Sequence, residues 1–188
     1  RALAQAYVQS NDLALAEDTL KKAIAGTPGD PQLRVDLAQL LFRTGEGQRG
    51  LQTLQDAVAE SPENLTAQEQ LCVYYAARGD TKSARATADV VKSARPDLPL
   101  GDYLLGLVYR AEGKSAAAIG SFEAALKLKP NGAEPLPALV EVLVKDNRTE
   151  EALAQLSEGM DALHRLSKDG VRRTAGRLAL PLRSEQHT

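Results

Sequence analysis

Proline stands at Pro28, Pro62, Pro96 and Pro130, at one constant interval. Leucine keeps the same interval at Leu3, Leu37, Leu71, Leu105 and Leu139, and turn-forming residues keep it at Asn11, Gly45, Gly79, Gly113 and Asn147. A fourth register holds small residues: Ala16, Gly50, Ala84, Ala118 and Ala152. Four residue classes sharing one interval define a 34-residue repeat. A fixed period of this length marks supersecondary units that bury their apolar faces only by stacking on one another.

Each unit reads as two helices. In the second unit Asp30 is a good N-cap, and Pro31 sits in the first turn, where its missing N–H costs nothing. Leu37, Leu40 and Leu41 form an i, i+3, i+4 apolar stripe that stops at Gly45, a residue able to take the left-handed conformation that ends a helix. Asn11 and Asn147, in the equivalent places, are the next-best residues for that conformation. A second stripe, Leu51, Leu54, Ala57 and Val58, runs to Ser61-Pro62, where proline ends the helix. Residues 65–95 and 99–129 repeat the pattern.

Composition agrees. Ala and Leu supply 59 of the 188 residues, Val and Ile only 13, and aromatics 4%. Ala and Leu lead the helix scale, whereas strands draw on β-branched and aromatic residues, so a β-rich fold is excluded. A net charge of −2 excludes a chain-wide basic surface for nucleic acid, and no apolar run reaches the 18 or more residues of a membrane span. Small residues next to the repeated leucine (Ala4, Ala38, Cys72, Gly106) and five before the repeated proline (Ala23, Ala57, Ala125) let neighbouring helices approach closely. The expected fold is therefore all-α, a solenoid of antiparallel helix pairs.

These residues resemble the tetratricopeptide repeat (TPR) family, whose motif reads W-x₂-L-G-x₂-Y…A-x₃-F…A…P. The fourth unit fits it best, through Leu105-Gly106, Tyr109, Gly113, Ala118, Phe122, Ala125 and Pro130. The first keeps Leu3-Ala4, Tyr7, Ala16, Leu20, Ala23 and Pro28. The second and third are looser, with Leu41 for Tyr, Gly50 for Ala and Ala88 for the large residue. The motif's Trp is absent throughout. The resemblance covers residues 1–164 in five units (about 1–30, 31–64, 65–98, 99–132 and 133–164) and implies a right-handed superhelix.

Both ends depart from the pattern. The first unit lacks the opening of its first helix, so the natural chain is expected to extend beyond Arg1. The N-terminal stretch has no basic segment followed by a long apolar block, so no signal peptide is read there. The fifth unit has His164 where proline is expected. Beyond it, residues 165–188 hold six Arg or Lys against two Asp or Glu. They are expected to form a short capping helix and then a disordered, solvated basic tail.

Candidate chemical sites resolve into structure. Gly45-Glu46-Gly47-Gln48-Arg49-Gly50 spells G-x-G-x-x-G, but dinucleotide binding needs a preceding strand. Here the run follows a helix, and Gly45 and Gly50 are in phase with Gly79 and Ala84, so it reads as a turn. His164 and His187 have no second ligand or acid partner at metal or triad spacing. Cys72 holds a small-residue core position, and a single cysteine excludes an intrachain disulfide framework. Asn64-Leu65-Thr66 and Asn147-Arg148-Thr149 are formal glycosylation sequons at turns that want Asn in any case. No catalytic residue, cofactor or metal is expected.

In TPR proteins the first helix of each unit lines a concave groove that takes peptide or protein segments. The resemblance places Gln39, Phe42, Arg43, Glu69, Val73, Tyr103, Leu107, Arg110, Glu141 and Lys145 there, with Phe42, Tyr103 and Arg110 as the best anchors because aromatics and Arg dominate interface energetics. Some TPR co-chaperones hold a C-terminal carboxylate with Lys, Arg and Asn in this groove. The corresponding places carry Val35, Gln39, Glu69 and Val73, so a ligand of mixed charge and some apolar character is expected. The implied function is a non-catalytic scaffold or adaptor that belongs to a longer bacterial TPR protein. Its Ala/Leu-rich style resembles the arrays of envelope and exopolysaccharide-assembly systems. The alternative is the regulatory or substrate-recruiting arm of an enzyme. The expected partner is a protein or peptide, not nucleic acid, and self-association through the solenoid ends is a further option.

Overall fold

The computed structural model describes residues 1–130 and 132–178, in which ten helices follow one another: α1 (Ala2–Gln9), α2 (Leu13–Gly26), α3 (Pro31–Arg43), α4 (Gly47–Glu60), α5 (Leu65–Ala77), α6 (Thr81–Ala94), α7 (Pro99–Ala111), α8 (Ser115–Leu128), α9 (Pro135–Lys145) and α10 (Thr149–Leu178). No strand occurs among the described residues.

Every turn inside a pair has the same geometry. Asn11, Gly45, Gly79, Gly113 and Asn147 take φ of +64°, +83°, +75°, +72° and +60°. The residue after each donates its backbone N–H five positions back, Glu46 to the Leu41 carbonyl at 2.8 Å and Lys114 to that of Tyr109 at 2.9 Å. That long bond, with a left-handed residue just past the helix end, is the Schellman closure. It satisfies carbonyls that the helix end would otherwise leave without partners. Between pairs the chain turns through a proline segment, and Asp30 and Asn64 start the next helices by accepting from the Gln32 and Ala67 N–H groups.

The pairs close through small residues. Ala16, Ala84 and Ala118 are fully buried and Ala152 nearly so. A Cβ added to Gly50 would lie 2.4 Å from the Phe42 ring, and one on Gly106 would lie 2.3 Å from that of Phe122. Successive pairs stack the same way, since a Cβ on Gly101 of α7 would meet the Lys92 backbone of α6 at 2.6 Å. Cys72 is fully buried, and its thiol donates to the Ala84 carbonyl at 3.3 Å. Burial pushes its pKa up to about 12, which keeps it a neutral packing group.

First helices pack on first helices, α3 on α5, α5 on α7, and α7 on α9. No two second helices make a comparable contact among the described residues. First helices therefore form an inner wall and second helices an outer layer, the arrangement that bends a stack of pairs into a superhelical solenoid. The last helix, α10, continues past His164, the place where the fifth unit is expected to end. With no proline at that place to stop it, α10 runs unbroken to Leu178. The tail expected to be disordered lies, from residue 179, outside the described residues.

Gly106→Ala is expected to cost about 1–3 kcal/mol, the usual range for overpacking a filled core, and Phe122→Leu in the same chain should recover part of that loss. Urea unfolding of the two single variants and the double variant checks the coupling.

Candidate partner-binding groove

The inner wall is built from the sequence upward. A helix exposes to solvent whatever its apolar stripe does not need, and on the first helices that leftover face points inward along the superhelix. The ten expected groove residues fall into distinct environments. Gln39 and Arg43, one turn apart on α3 and both exposed, line a hollow of about 400 Å³ between α1 and α3, together with Arg1, Gln5, Val8 and Asp36. Arg1 crosses this hollow to bond Asp36 at 2.7 Å.

Glu69 of α5 and Tyr103 of α7 come together further along the wall. They line a hollow of about 150 Å³ with Leu100, Glu134 and Pro135, and Lys129 is also in its lining. Burial raises the Glu69 carboxyl above the usual glutamate range, and the facing charge of Glu134 adds to the rise. The Tyr103 hydroxyl is also pushed up, by burial first and the Glu69 charge next. One turn beyond Glu69, Val73 is 37% exposed. At the next step Arg110 of α7 donates to Glu141 of α9 at 2.5 Å, joining two expected groove residues across adjacent units. Lys145 is exposed in the last turn of α9.

Two of the ten are committed elsewhere. Leu107 is only 6% exposed and belongs to the central core, so it offers almost no surface to a partner. Leu104 and Val108 beside it on α7 are fully buried too. Phe42 is half-buried, with its ring over Gly50 and stacked on Tyr74 at 4.8 Å. The second unit has Leu41 where the motif has Tyr, and the aromatic one residue later fills the space left by Gly50. Phe42 thus packs as a wedge between the helices.

Sequence reasoning missed Glu134. Its signal was there, since it stands one repeat after Leu100 and two after Thr66, at the start of a first helix and facing the same wall. The glycine run 45–50 is resolved: Gly45 is the left-handed turn, Gly47 opens α4, and Gly50 receives Phe42. His164 is exposed at the surface of α10, and His187 lies outside the described residues. No group of three or more His, Cys, Asp or Glu able to hold a metal occurs among the described residues. No described helix is long and apolar enough to cross a membrane. A hollow of about 520 Å³ lies between α8, α9 and α10, away from the expected residues, and has a mixed lining that includes Glu123, Lys127, Glu158 and Arg165.

Glu69→Gln removes a charge that the fold disfavours, and it is expected to raise the melting temperature at neutral pH. A raised folded-state pKa makes wild type gain stability as pH falls through that range. The variant should lose this part of the pH dependence, and melts from neutral to mildly acidic pH read both effects.

Comparison with known proteins gives this architecture its place. A family model described as "Tetratricopeptide repeat" matches residues 1–64, 35–99 and 103–162. Cellulose synthase operon protein C of Pseudomonas fluorescens (strain SBW25) is 27% identical over 144 residues, which cover 72% of this chain and 11% of that protein. The chain thus spans only a small part of that relative's length. Among solved structures, TTC0263, a thermophilic TPR protein of Thermus thermophilus, superposes with a TM-score of 0.71 at 22% identity, covering 94% of this chain and 96% of that one. MamA 41-end from Desulfovibrio magneticus RS-1 gives 0.63 at 19% identity, over 88% and 93% of the two chains. These likenesses speak to fold. Taken with the family match across most of its length, the five left-handed turns and the stacked inner wall show that this chain belongs to the tetratricopeptide repeat family.

Proposed function

We propose that the chain is a non-catalytic interaction scaffold whose inner wall holds an extended peptide or protein segment. The observation that carries this reading is the wall itself. It is a continuous face of first helices that leaves Gln39, Arg43, Glu69, Val73, Tyr103, Arg110, Glu141 and Lys145 at least partly accessible on successive units. A surface presented by several rigid, stacked helices loses little order when it binds, which favours extended ligands. Its mixture of Arg, Glu, Tyr and Val suits a segment of mixed charge and some apolar character. Leu107 and Phe42 act here by setting the shape of the wall.

The resemblance to part of a protein whose name ties it to a cellulose synthase operon supports a narrower setting. We place the chain as a segment of a longer bacterial TPR protein that organises exopolysaccharide assembly at the envelope. Because the match covers 11% of that relative, the array also suits the second role, a recruiting arm attached to an enzyme.

Cross-linking mass spectrometry tests the reading. The immobilised chain is incubated with an envelope extract of a cellulose-producing bacterium and its cross-linked peptides are mapped. Cross-links should concentrate on α3, α5, α7 and α9, and Tyr103→Ala/Arg110→Ala should reduce capture at least about fivefold, equivalent to roughly 1 kcal/mol. Cross-links confined to the even-numbered helices, or capture unchanged in the double variant, would remove the groove assignment. Captured proteins unrelated to polysaccharide export would remove the narrower setting alone.

A further inference from the structure

Three acids of the first helices are neutralised by bases of the chain itself. Asp36 meets Arg1 at 2.7 Å, Asp102 meets Lys92 at 2.6 Å, and Glu141 meets Arg110. Glu69 and Glu134 differ. Among the described residues neither takes part in an ion pair, although both line the hollow of about 150 Å³ between α5, α7 and the start of α9. Lys129 also lines that hollow, but it is exposed and pairs with neither carboxylate. Glu69 is half-buried and Glu134 exposed, and burial first, then the charge of Glu134, raises the proton affinity of Glu69. Neither carboxylate is given an ion-pair cation by the described residues.

The rest of the hollow has the form such a cation needs. Tyr103 is half-buried beside the two acids, and the face of a tyrosine ring attracts a positive charge. Leu100 and Pro135 add apolar walls, against which the methylene stem of a long basic side chain packs while its head reaches the acids. The space holds about five waters at ~30 Å³ each, the size of a single long side chain. A hard metal ion would want about six oxygen ligands, more than two carboxylates and one phenol provide. Val73 lies four residues beyond Glu69 on α5, about 6 Å along the helix, and is exposed. Alternate side chains of an extended peptide are spaced about 6.6 Å apart, so they match this step.

We propose that the Glu69–Tyr103–Glu134 hollow anchors one basic side chain, Lys or Arg, of an extended partner segment, with an apolar side chain two residues away resting on Val73. This rests on the inner-wall reading above and adds the chemistry of the ligand. Arg110 and Glu141 already neutralise each other and do not compete for the same cation.

The test selects binders from a random heptapeptide phage library against the full chain. Selected peptides are then synthesised and titrated by fluorescence anisotropy. Enrichment of Lys or Arg with an apolar residue two positions away is expected. Replacing that basic residue by Met should weaken binding at least about tenfold. Glu69→Gln/Glu134→Gln should weaken it by a similar factor while melting no lower than wild type, which separates lost recognition from lost folding. Glu123→Gln/Glu158→Gln removes the same net charge from the outer face and should leave affinity within about twofold. Selected peptides without basic enrichment, or basic ones that bind the Glu69/Glu134 variant as tightly as wild type, overturn the anchor while the groove reading stands. Failure to select any peptide sensitive to Tyr103→Ala/Arg110→Ala overturns both.

Discussion

The structure depends on how closely two helices of a pair can approach. At Gly106 and Gly50 even a methyl group would collide with an aromatic ring; the places equivalent to Gly50 hold buried Ala16, Ala84, Ala118 and Ala152, and three of those equivalent to Gly106 hold buried Ala4, Ala38 and Cys72. Close approach lets one large residue per pair, Phe122 or Leu54, fill the space between helices completely. It also explains how a chain with so few aromatics has fully buried side chains in every pair. Dispersion contacts are individually weak, and their sum is large only when no gap separates the partners.

From that constraint the groove follows. Pairs that close tightly and stack with a constant offset put first helices against first helices, and the outer layer spreads. Ion pairs then tie neighbouring units at the surface, as Glu17 does with Arg49, Arg85 with Glu112, and Lys92 with Asp102. Such exposed pairs contribute about 0–1 kcal/mol each, so they fix alignment more than they supply stability. Among the described residues Glu69 and Glu134, which line one hollow of the wall without an ion pair, therefore stand out against a pattern of local neutralisation.

Much of this was legible in the residues. The interval of Pro, Leu, Gly/Asn and Ala determines the helix pairs, and the left-handed turns fall at all five expected positions, because only Gly and Asn take that conformation cheaply. The wall was harder to read. Helical phase places Leu107 inward, but how far a neighbouring helix covers it depends on the width of the apolar stripe around Leu104 and Val108. Phe42 sits at a groove register, yet Gly50 in the facing helix of the same pair opens a space that draws its ring aside. Glu134 follows an irregular segment where the phase of the helix start is set by Pro135, and its importance arises from Glu69, nearly two repeats earlier in the chain. The full course of α10 depended on the absence of a stop signal, which is weaker information than the presence of one.

The buried apolar residues do not merge into one core. Leu33, Leu37, Leu40 and Leu41 of α3 pack with α1 and α2, while Val35 and Ala38 on its other side pack with α4 and α5. A third and larger group runs from Cys72 in α5 to Ala152 in α10. Helix α3 is thus a seam between the first two groups, and α5, with Ala67 and Leu71 in the second and Cys72 in the third, is another. Regions joined by such seams open with different free energies. The hollow beside Gln39 and Arg43 sits on the first seam, and the Glu69–Glu134 hollow sits on the third group. A long ligand spanning both would clasp them together, so its length as well as its sequence would register in how slowly the backbone amides of α1 and α2 exchange.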